Sequence, residues 1–177
     1  MHDKKNLREE NRKIRARLSE TGAISHISEK IVEKIKCADY FSGAKHVLIF
    51  HPKSGEIDLL GLLEVGGKQF YLPRCNGDKL EICLYCADDE LREGGFGIKE
   101  PVCAPIEDLS VLDVIFIPAL GADLEGGRIG YGGGFYDRFF AANNLRAKKV
   151  VAIPSDLVCK KINCEAHDVR YDELVTD

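Results

Sequence analysis

Residues 113–153 have the sequence DVIFIPALGADLEGGRIGYGGGFYDRFFAANNLRAKKVVAI, and the fold is predicted chiefly from them. Its first part, residues 113–117, is a short apolar run that is typical of a buried strand. A glycine-rich loop follows at residues 126–134, and a helix is predicted from about residue 135 to residue 143. A second β-branched run at residues 149–153 predicts the next strand. Strands and helices that alternate at this spacing indicate a layered α/β domain.

The rest of the chain continues this alternation. The predicted helices span residues 3–20 (capped by Asp3), a segment that begins at the N-cap Ser25 and carries Ile27, Ile31 and Ile35, and residues 57–64. The predicted strands span residues 46–50, residues 69–72 (stopped by Pro73) and residues 80–85. We therefore predict one domain, residues 1–177, with a mostly parallel sheet that helices flank on both faces.

Composition and charge limit the class of protein. With 45% hydrophobic and 31% charged residues in 177, the chain is neither disordered, collagen-like nor a coiled coil. A domain of this length buries close to 70% of its unfolded surface, so its core needs no disulfide or metal. The net charge of −4 argues against a protein that binds nucleic acid or membrane over its whole surface. We expect a monomer.

The cysteines and the first residues indicate the compartment. Seven cysteines, an odd number, and a charged opening segment argue against secretion and a disulfide framework. No apolar run approaches the ~18 residues that a membrane span needs. We therefore expect a cytoplasmic protein with reduced thiols. Cys83 and Cys86 have the spacing of metal ligands, but on a strand they would point to opposite faces, so we interpret them as small core residues.

The glycine-rich loop is the strongest candidate for a ligand site. Residues 126–134 contain six glycines between a predicted strand and a predicted helix, an arrangement that lets backbone N–H groups and the helix N-terminus hold a phosphate. A tight loop without a ligand is the alternative. The pattern fits neither the dinucleotide fingerprint nor the P-loop. Arg128 has the fork geometry to hold phosphate oxygens and Asp137 the carboxylate to hold Mg²⁺, unless they only pair with each other.

The predicted first helix carries a second cationic group. Residues 1–17 contain seven Lys and Arg against three Asp and Glu, a net charge of +4. At 100° per residue, Lys4, Arg8 and Arg15 lie in one sector beside an apolar stripe. Such a run is often solvated surface, but it could also be a second clamp on the same phosphates.

Several motifs in register resemble the 5-formyltetrahydrofolate cyclo-ligase family. They are the segment from Lys4 to Arg8, Glu56-Ile-Asp, the stretch from Phe96 to Pro101, the glycine block with the strand before it, and the ending from His167-Asp168 to Asp177. The resemblance runs over nearly the whole chain. Its glycine block, Gly-x-Arg-Ile-Gly-x-Gly-Gly-Gly-Phe-Tyr-Asp-Arg, is the most specific part.

The resemblance implies an ATP-dependent ligase that converts 5-formyltetrahydrofolate to 5,10-methenyltetrahydrofolate, with Mg²⁺ as cofactor. It implies that ATP is held by Lys4, Lys5, Asn6, Leu7, Arg8, Arg128, Ile129, Gly130, Tyr131, Gly132, Gly133, Gly134, Phe135 and Tyr136. Lys4 and Arg128 would be catalytic. Folate would contact His51, Glu56, Tyr131, Gly132, Gly133, Gly134 and Phe135, and Mg²⁺ would bind Asp137 and Asp168.

The chain departs from the family pattern at a few positions. Leu59 stands where the family commonly has Thr, Ala122 where it has Phe, and Phe135 where it has Tyr; His51 replaces an apolar residue. These differences fall on the folate side. They leave open an ATP-dependent ligase or kinase with another substrate, and a nucleotide- or RNA-binding module that uses the basic arm is a further alternative.

Overall fold

The computed structural model describes residues 4–177, except the side chain of Phe96. The predicted cap Asp3 lies outside these residues. The helices are α1 (Lys4–Glu20), α2 (Ala23–Lys36), α3 (Asp39–Ser42) and α4 (Phe135–Ala142). The strands are β1 (His46–Leu48), β2 (Gln69–Asn76), β3 (Lys79–Tyr85), β4 (Leu91–Glu93), β5 (Lys99–Pro101), β6 (Val114–Phe116), β7 (Gly121–Asp123), β8 (Arg128–Ile129), β9 (Lys148–Ala152), β10 (Val158–Cys159) and β11 (Glu173–Val175).

A central sheet carries the fold, as predicted. Its strand order is β11-β9-β6-β1-β2-β3, and every neighbouring pair is parallel except β2 with β3 at the edge. Strands buried on both faces read as continuous apolar runs because neither side of the sheet meets water. This is why the predicted runs at residues 46–50 and 113–117, which contain β1 and β6, show no polar alternation.

Helices cover both faces of this sheet. Consecutive strand residues point to opposite sides, so Val47 and Val150 join one core, whereas Leu48 and Val151 join the other. The buried face of α2 packs into the first core, and Phe139 of α4 packs into the second. The predicted fold class is confirmed. No helix within residues 4–177 has the length and apolar character needed to cross a bilayer.

Two small sheets were not predicted from the sequence. One has the order β10-β7-β8, and the other is the antiparallel pair β4 and β5. Their strands have two or three residues each, too few for a periodic pattern to be visible. The first sheet matters for the site, because β8 lies inside the glycine-rich loop and fixes its position on β7.

The predicted helix at residues 57–64 is wrong. Only Leu60–Glu64 is helical, and it forms a 3₁₀ turn. Ile57, Leu59 and Leu62 are all fully buried, and the Asp58 carboxylate accepts a hydrogen bond from the Leu60 N–H at 2.9 Å. Burial of residues two apart does not suit one face of an α-helix, so packing overrides the local propensity.

Two predicted boundaries are also wrong. The helix α2 begins at Ala23 after Gly22, whose φ of 71° is left-handed, so Ser25 lies inside the helix and is not its cap. Strand β2 continues through Pro73 instead of stopping there. In β2 the Gln69 N–H and the Tyr71 carbonyl point toward the side of β1. Because backbone groups alternate along a strand, the nitrogen of Pro73 also points to this side and not toward β3. Since β1 ends at Leu48, the missing N–H of Pro73 breaks no ladder bond.

Candidate active site

Most of the predicted site residues lie in the wall of one cavity of about 630 Å³. His51 and Pro118, which follow β1 and β6, place this cavity at the carboxyl edge of the parallel strands, where open α/β sheets bind ligands. The predicted residues in the wall are Lys4, Arg8, His51, Glu56, Arg128, Gly130, Tyr131, Gly132, Gly133, Gly134, Phe135, Tyr136, Asp137 and Asp168.

The glycine-rich loop is built on a buried carboxylate. The carboxylate of Asp123, at the end of β7, accepts hydrogen bonds from the N–H groups of Gly127 at 2.8 Å, Glu125 at 3.0 Å and Ile162 at 2.7 Å. A Cβ on Gly127 would lie 2.8 Å from this carboxylate, so the position requires glycine. These hydrogen bonds therefore fix the turn that precedes Arg128, a residue of the cavity wall.

The end of the loop opens into α4. Gly132 and Gly134 have φ values of 103° and 65°, a backbone region that other residues rarely adopt. The first turn of α4 faces the cavity through Phe135, Tyr136 and Asp137. Backbone N–H groups at such a loop and helix start can hold an anion.

Arg128 and Asp137 form an ion pair across the loop. The Nη2 atom of Arg128 lies 2.5 Å from Oδ1 of Asp137, and the same oxygen accepts a hydrogen bond from the Val169 N–H at 3.0 Å. The sequence left open whether these residues pair with each other or bind a ligand. In this structure they do pair, and both also line the cavity.

Lys4 brings the first helix to the same end of the cavity. Its ammonium group donates to the Asp168 carboxylate and lies 3.6 Å from Glu165. Burial acts to raise the pKa of Asp168, but the hydrogen bonds from Lys4 and from the Glu165 N–H outweigh it, so this pKa lies below its ordinary value. Asp168 is therefore held as a carboxylate.

Arg8 and Arg12 continue this cationic side along α1. The Nε of Arg8 donates to the Gly130 carbonyl at 3.0 Å, and Arg12 lines the cavity one turn further on. Arg12 was not predicted as a site residue, although it lies four residues after Arg8 and therefore on the same face of α1. The predicted phosphate clamp from Arg15 is wrong in its geometry, since Arg15 is not in the cavity wall.

Arg15 instead belongs to a buried network with Glu56 and Tyr131. Its Nη1 lies 3.4 Å from Oε1 of Glu56 and donates to the Tyr131 hydroxyl, which in turn donates to Glu56. The other carboxylate oxygen of Glu56 accepts from the Lys53 N–H at 2.7 Å. Burial and the Glu56 charge raise the pKa of Tyr131. This network joins α1, the loop after β1 and the glycine-rich loop.

Four predicted ATP contacts lie outside the cavity wall. Lys5 and Asn6 are exposed on α1, Leu7 packs against a small apolar cluster, and Ile129 is fully buried in that cluster. Their contact with ATP stays a prediction. Conversely, Cys75, Leu80, Ile98 and Glu100 line the cavity and were not predicted individually; Ile98 and Glu100 fall within the family motif quoted above.

The two predicted metal ligands suit a hard cation bound together with phosphates. Asp137 and Asp168 both line the cavity. Mg²⁺ in nucleotide enzymes is commonly held by one or two carboxylates, with substrate phosphates and water completing the shell. Within residues 4–177, no group of three or more His, Cys, Asp or Glu could hold a metal ion by itself.

Of the cysteine pair Cys83 and Cys86, Cys83 is buried as predicted. Cys86 lies beyond β3 and is exposed, so its predicted core position is wrong.

Comparison with known proteins gives a consistent result. Residues 1–177 match the 5-formyltetrahydrofolate cyclo-ligase family. The chain is 30% identical to the cyclo-ligase of Haemophilus influenzae over 88% of this chain and 86% of that protein. It is 33% identical to the cyclo-ligase of Mycolicibacterium smegmatis over 69% of this chain and 66% of that protein. The structure superposes on the 5,10-methenyltetrahydrofolate synthetase of Aquifex aeolicus with a TM-score of 0.84 and 32% identity, covering 98% of this chain and 89% of the other.

Proposed function

Because the chain belongs to the 5-formyltetrahydrofolate cyclo-ligase family, we propose that it uses Mg²⁺ and ATP to convert 5-formyltetrahydrofolate to 5,10-methenyltetrahydrofolate. The observation that carries the proposal is the meeting of three elements in one cavity. These are the glycine-rich loop, the cations of α1, and the loop that carries Glu56. An enzyme that transfers a phosphoryl group from a nucleotide to a second anionic substrate needs both binding regions within one enclosed space.

One end of the cavity suits the triphosphate. The backbone of residues 130–134, the start of α4 and the side chains of Lys4, Arg8 and Arg128 supply N–H donors and positive charge there. Asp137 and Asp168 would hold Mg²⁺ against the phosphate oxygens. When bound, Mg²⁺ supplies charge neutralisation on the phosphates.

The apolar part of the cavity wall suits a flat heteroaromatic ring. It is formed by Phe50, Pro73, Leu80 and Ile98, and His51 and Glu56 add polar groups to the same wall. Binding sites for flat small molecules combine a mostly apolar slot with a few fixed polar anchors. The Arg15 and Tyr131 contacts keep the Glu56 carboxylate in one orientation.

The proposed chemistry has three steps. A lone pair of the formyl oxygen forms a bond to the γ-phosphorus of ATP, and the bond to the bridging oxygen breaks with its electrons going to ADP. The N10 lone pair then adds to the activated formyl carbon, and N10 loses its proton to solvent. The carbon–oxygen bond finally breaks with its electrons going to phosphate, which leaves the methenyl cation. The role of the protein is chiefly to position the substrates and neutralise charge.

The test is to incubate the purified protein with Mg-ATP and 5-formyltetrahydrofolate and follow the ultraviolet absorbance of the methenyl product. We expect product, ADP and phosphate in equal amounts. ATP turnover only with a different acceptor would favour a ligase or kinase of another substrate. Salt-sensitive RNA binding without ATP turnover would favour the binding module.

A further inference from the structure

We propose that the Tyr136 hydroxyl is a catalytic hydrogen-bond donor to the phosphoryl group as it passes from ATP to its acceptor. This inference rests on the proposed function and assigns a step of it to one atom. Tyr136 is the second residue of α4; it lines the cavity and is 9% exposed. The aromatic ring packs into the core behind the cavity, so the side chain has little freedom to turn.

The observation that calls for an explanation is a hydroxyl without a partner. Within residues 4–177, neither the Tyr136 hydroxyl nor Nε of Arg128 has a hydrogen-bond partner, although both atoms are buried. Buried polar groups are nearly always paired, because an unpaired donor loses its hydrogen bonds to water without replacement. Two unpaired donors on two residues that line the same cavity point to a ligand that accepts from them.

The position of the hydroxyl identifies the part of the ligand. Tyr136 lies in the first turn of α4 beside Asp137, and the other unpaired donor belongs to Arg128, whose guanidinium lies 2.5 Å from the Asp137 carboxylate. Both unpaired donors therefore belong to the part of the wall proposed for the triphosphate. The acceptor there is the phosphoryl group, and charge spreads over its oxygens during transfer.

A fixed hydrogen-bond donor in a cavity of low polarity stabilises the charge that develops on the phosphoryl oxygens without transferring a proton. The packed ring of Tyr136 makes its hydroxyl such a donor.

The substitution Tyr136→Phe separates this role from a structural one. Because the hydroxyl has no partner in the free protein, its removal should leave the melting temperature unchanged or raise it. Loss of one donor to a transition state lowers kcat by about 10² to 10³-fold in other enzymes. We expect a loss of about 10²-fold in kcat, with the KM values for ATP and 5-formyltetrahydrofolate changed much less.

The chain offers a matched control. Tyr40 also has a buried hydroxyl that finds no partner among the residues the structure describes, but it packs under Lys148 in the other core and does not line the cavity. Tyr40→Phe should leave kcat unchanged. A second measurement is the affinity for ADP together with aluminium fluoride, in the presence of 5-formyltetrahydrofolate. Aluminium fluoride is a planar mimic of the phosphoryl group during transfer. This affinity should fall in Tyr136→Phe and stay unchanged in Tyr40→Phe.

The outcomes are distinct. Lower kcat and weaker binding of the mimic, at an undiminished melting temperature, support the proposal. An unchanged kcat in Tyr136→Phe, or a parallel fall in kcat and melting temperature, overturns it. Wild-type protein that forms no methenyl product overturns the proposed function itself, whatever the variant does.

Discussion

Arg128, within the glycine-rich loop, and Asp137, just beyond it, form an ion pair at 2.5 Å. Arg128 is the first residue of β8 and is buried, whereas Asp137 lies in the first turn of α4 and also accepts a hydrogen bond from the Val169 N–H. The pair therefore closes the loop around the backbone N–H groups of residues 130–134. It brings a cation and a carboxylate to the same phosphate-binding end of the cavity.

Arg128→Ala should lower kcat/KM by about 10³-fold or more, as the loss of an arginine that neutralises a transferring phosphoryl group does. Because the variant leaves Asp137 without its cation, the free energy of unfolding should also fall, by about 1–3 kcal/mol. Turnover is measured below the melting temperature of the variant. The control is Arg17→Ala, which removes an exposed guanidinium 3.3 Å from Asp156 and should leave both quantities unchanged. Normal turnover in Arg128→Ala would remove this residue from the site.

Asp137→Asn should weaken the dependence of turnover on Mg²⁺. The amide keeps an acceptor for Arg128 and Val169 but loses the negative charge that a hard cation prefers. We expect the half-saturating Mg²⁺ concentration to rise roughly tenfold or more, which corresponds to about 1.4 kcal/mol. The measurement is a titration of turnover with Mg²⁺ at fixed ATP. Asp156→Asn, at an exposed position outside the cavity wall, is the control. A normal Mg²⁺ titration would clear Asp137 of this role.

Asp168 should make stability depend on acid pH. Its pKa in the folded protein lies below the ordinary 3.8, so the folded state favours the carboxylate. Its contribution to stability is therefore complete above pH 3.8 and is lost as pH falls through the folded pKa. The difference in unfolding free energy between wild type and Asp168→Asn should be constant near neutrality and shrink in this acid range. Lys4→Met, which removes the hydrogen-bond donor, should raise the pKa of Asp168; a difference that grows with acid would contradict the assignment.

Gly127→Ala should destabilise the loop through its contact with Asp123. A methyl group there would lie 2.8 Å from the carboxylate and 2.9 Å from the Cys164 sulfur, closer than side chains normally approach. We expect the free energy of unfolding to fall by about 1–3 kcal/mol, measured by chemical denaturation. Gly66→Ala, where an added Cβ meets nothing within 4 Å, is the matched control. Equal stability of the two variants would show that Asp123 does not fix the loop.

The class of fold and the central motif of the site could both be predicted from the amino-acid sequence. Buried parallel strands such as β6 appear in the sequence as unbroken apolar runs, because neither face of the sheet meets water. Likewise, six glycines within nine residues before a helix form a local pattern, and the chemistry of this pattern follows from the backbone N–H groups that such a loop exposes. The cationic side of α1 was also predictable, since helical spacing alone places Lys4 and Arg8 on one side.

Which of these groups meet, and which are already paired with each other, depends on the tertiary structure. Arg15 lies on the same side of α1 as Lys4 and Arg8. Its guanidinium nevertheless pairs with Glu56 and Tyr131, which are 41 and 116 residues away in the sequence. Similarly, Leu60–Glu64 is a 3₁₀ turn and β2 passes through Pro73, because burial and the end of a neighbouring strand outweigh local preference. Contacts between distant residues depend on how layers pack, and no periodicity within one segment encodes them.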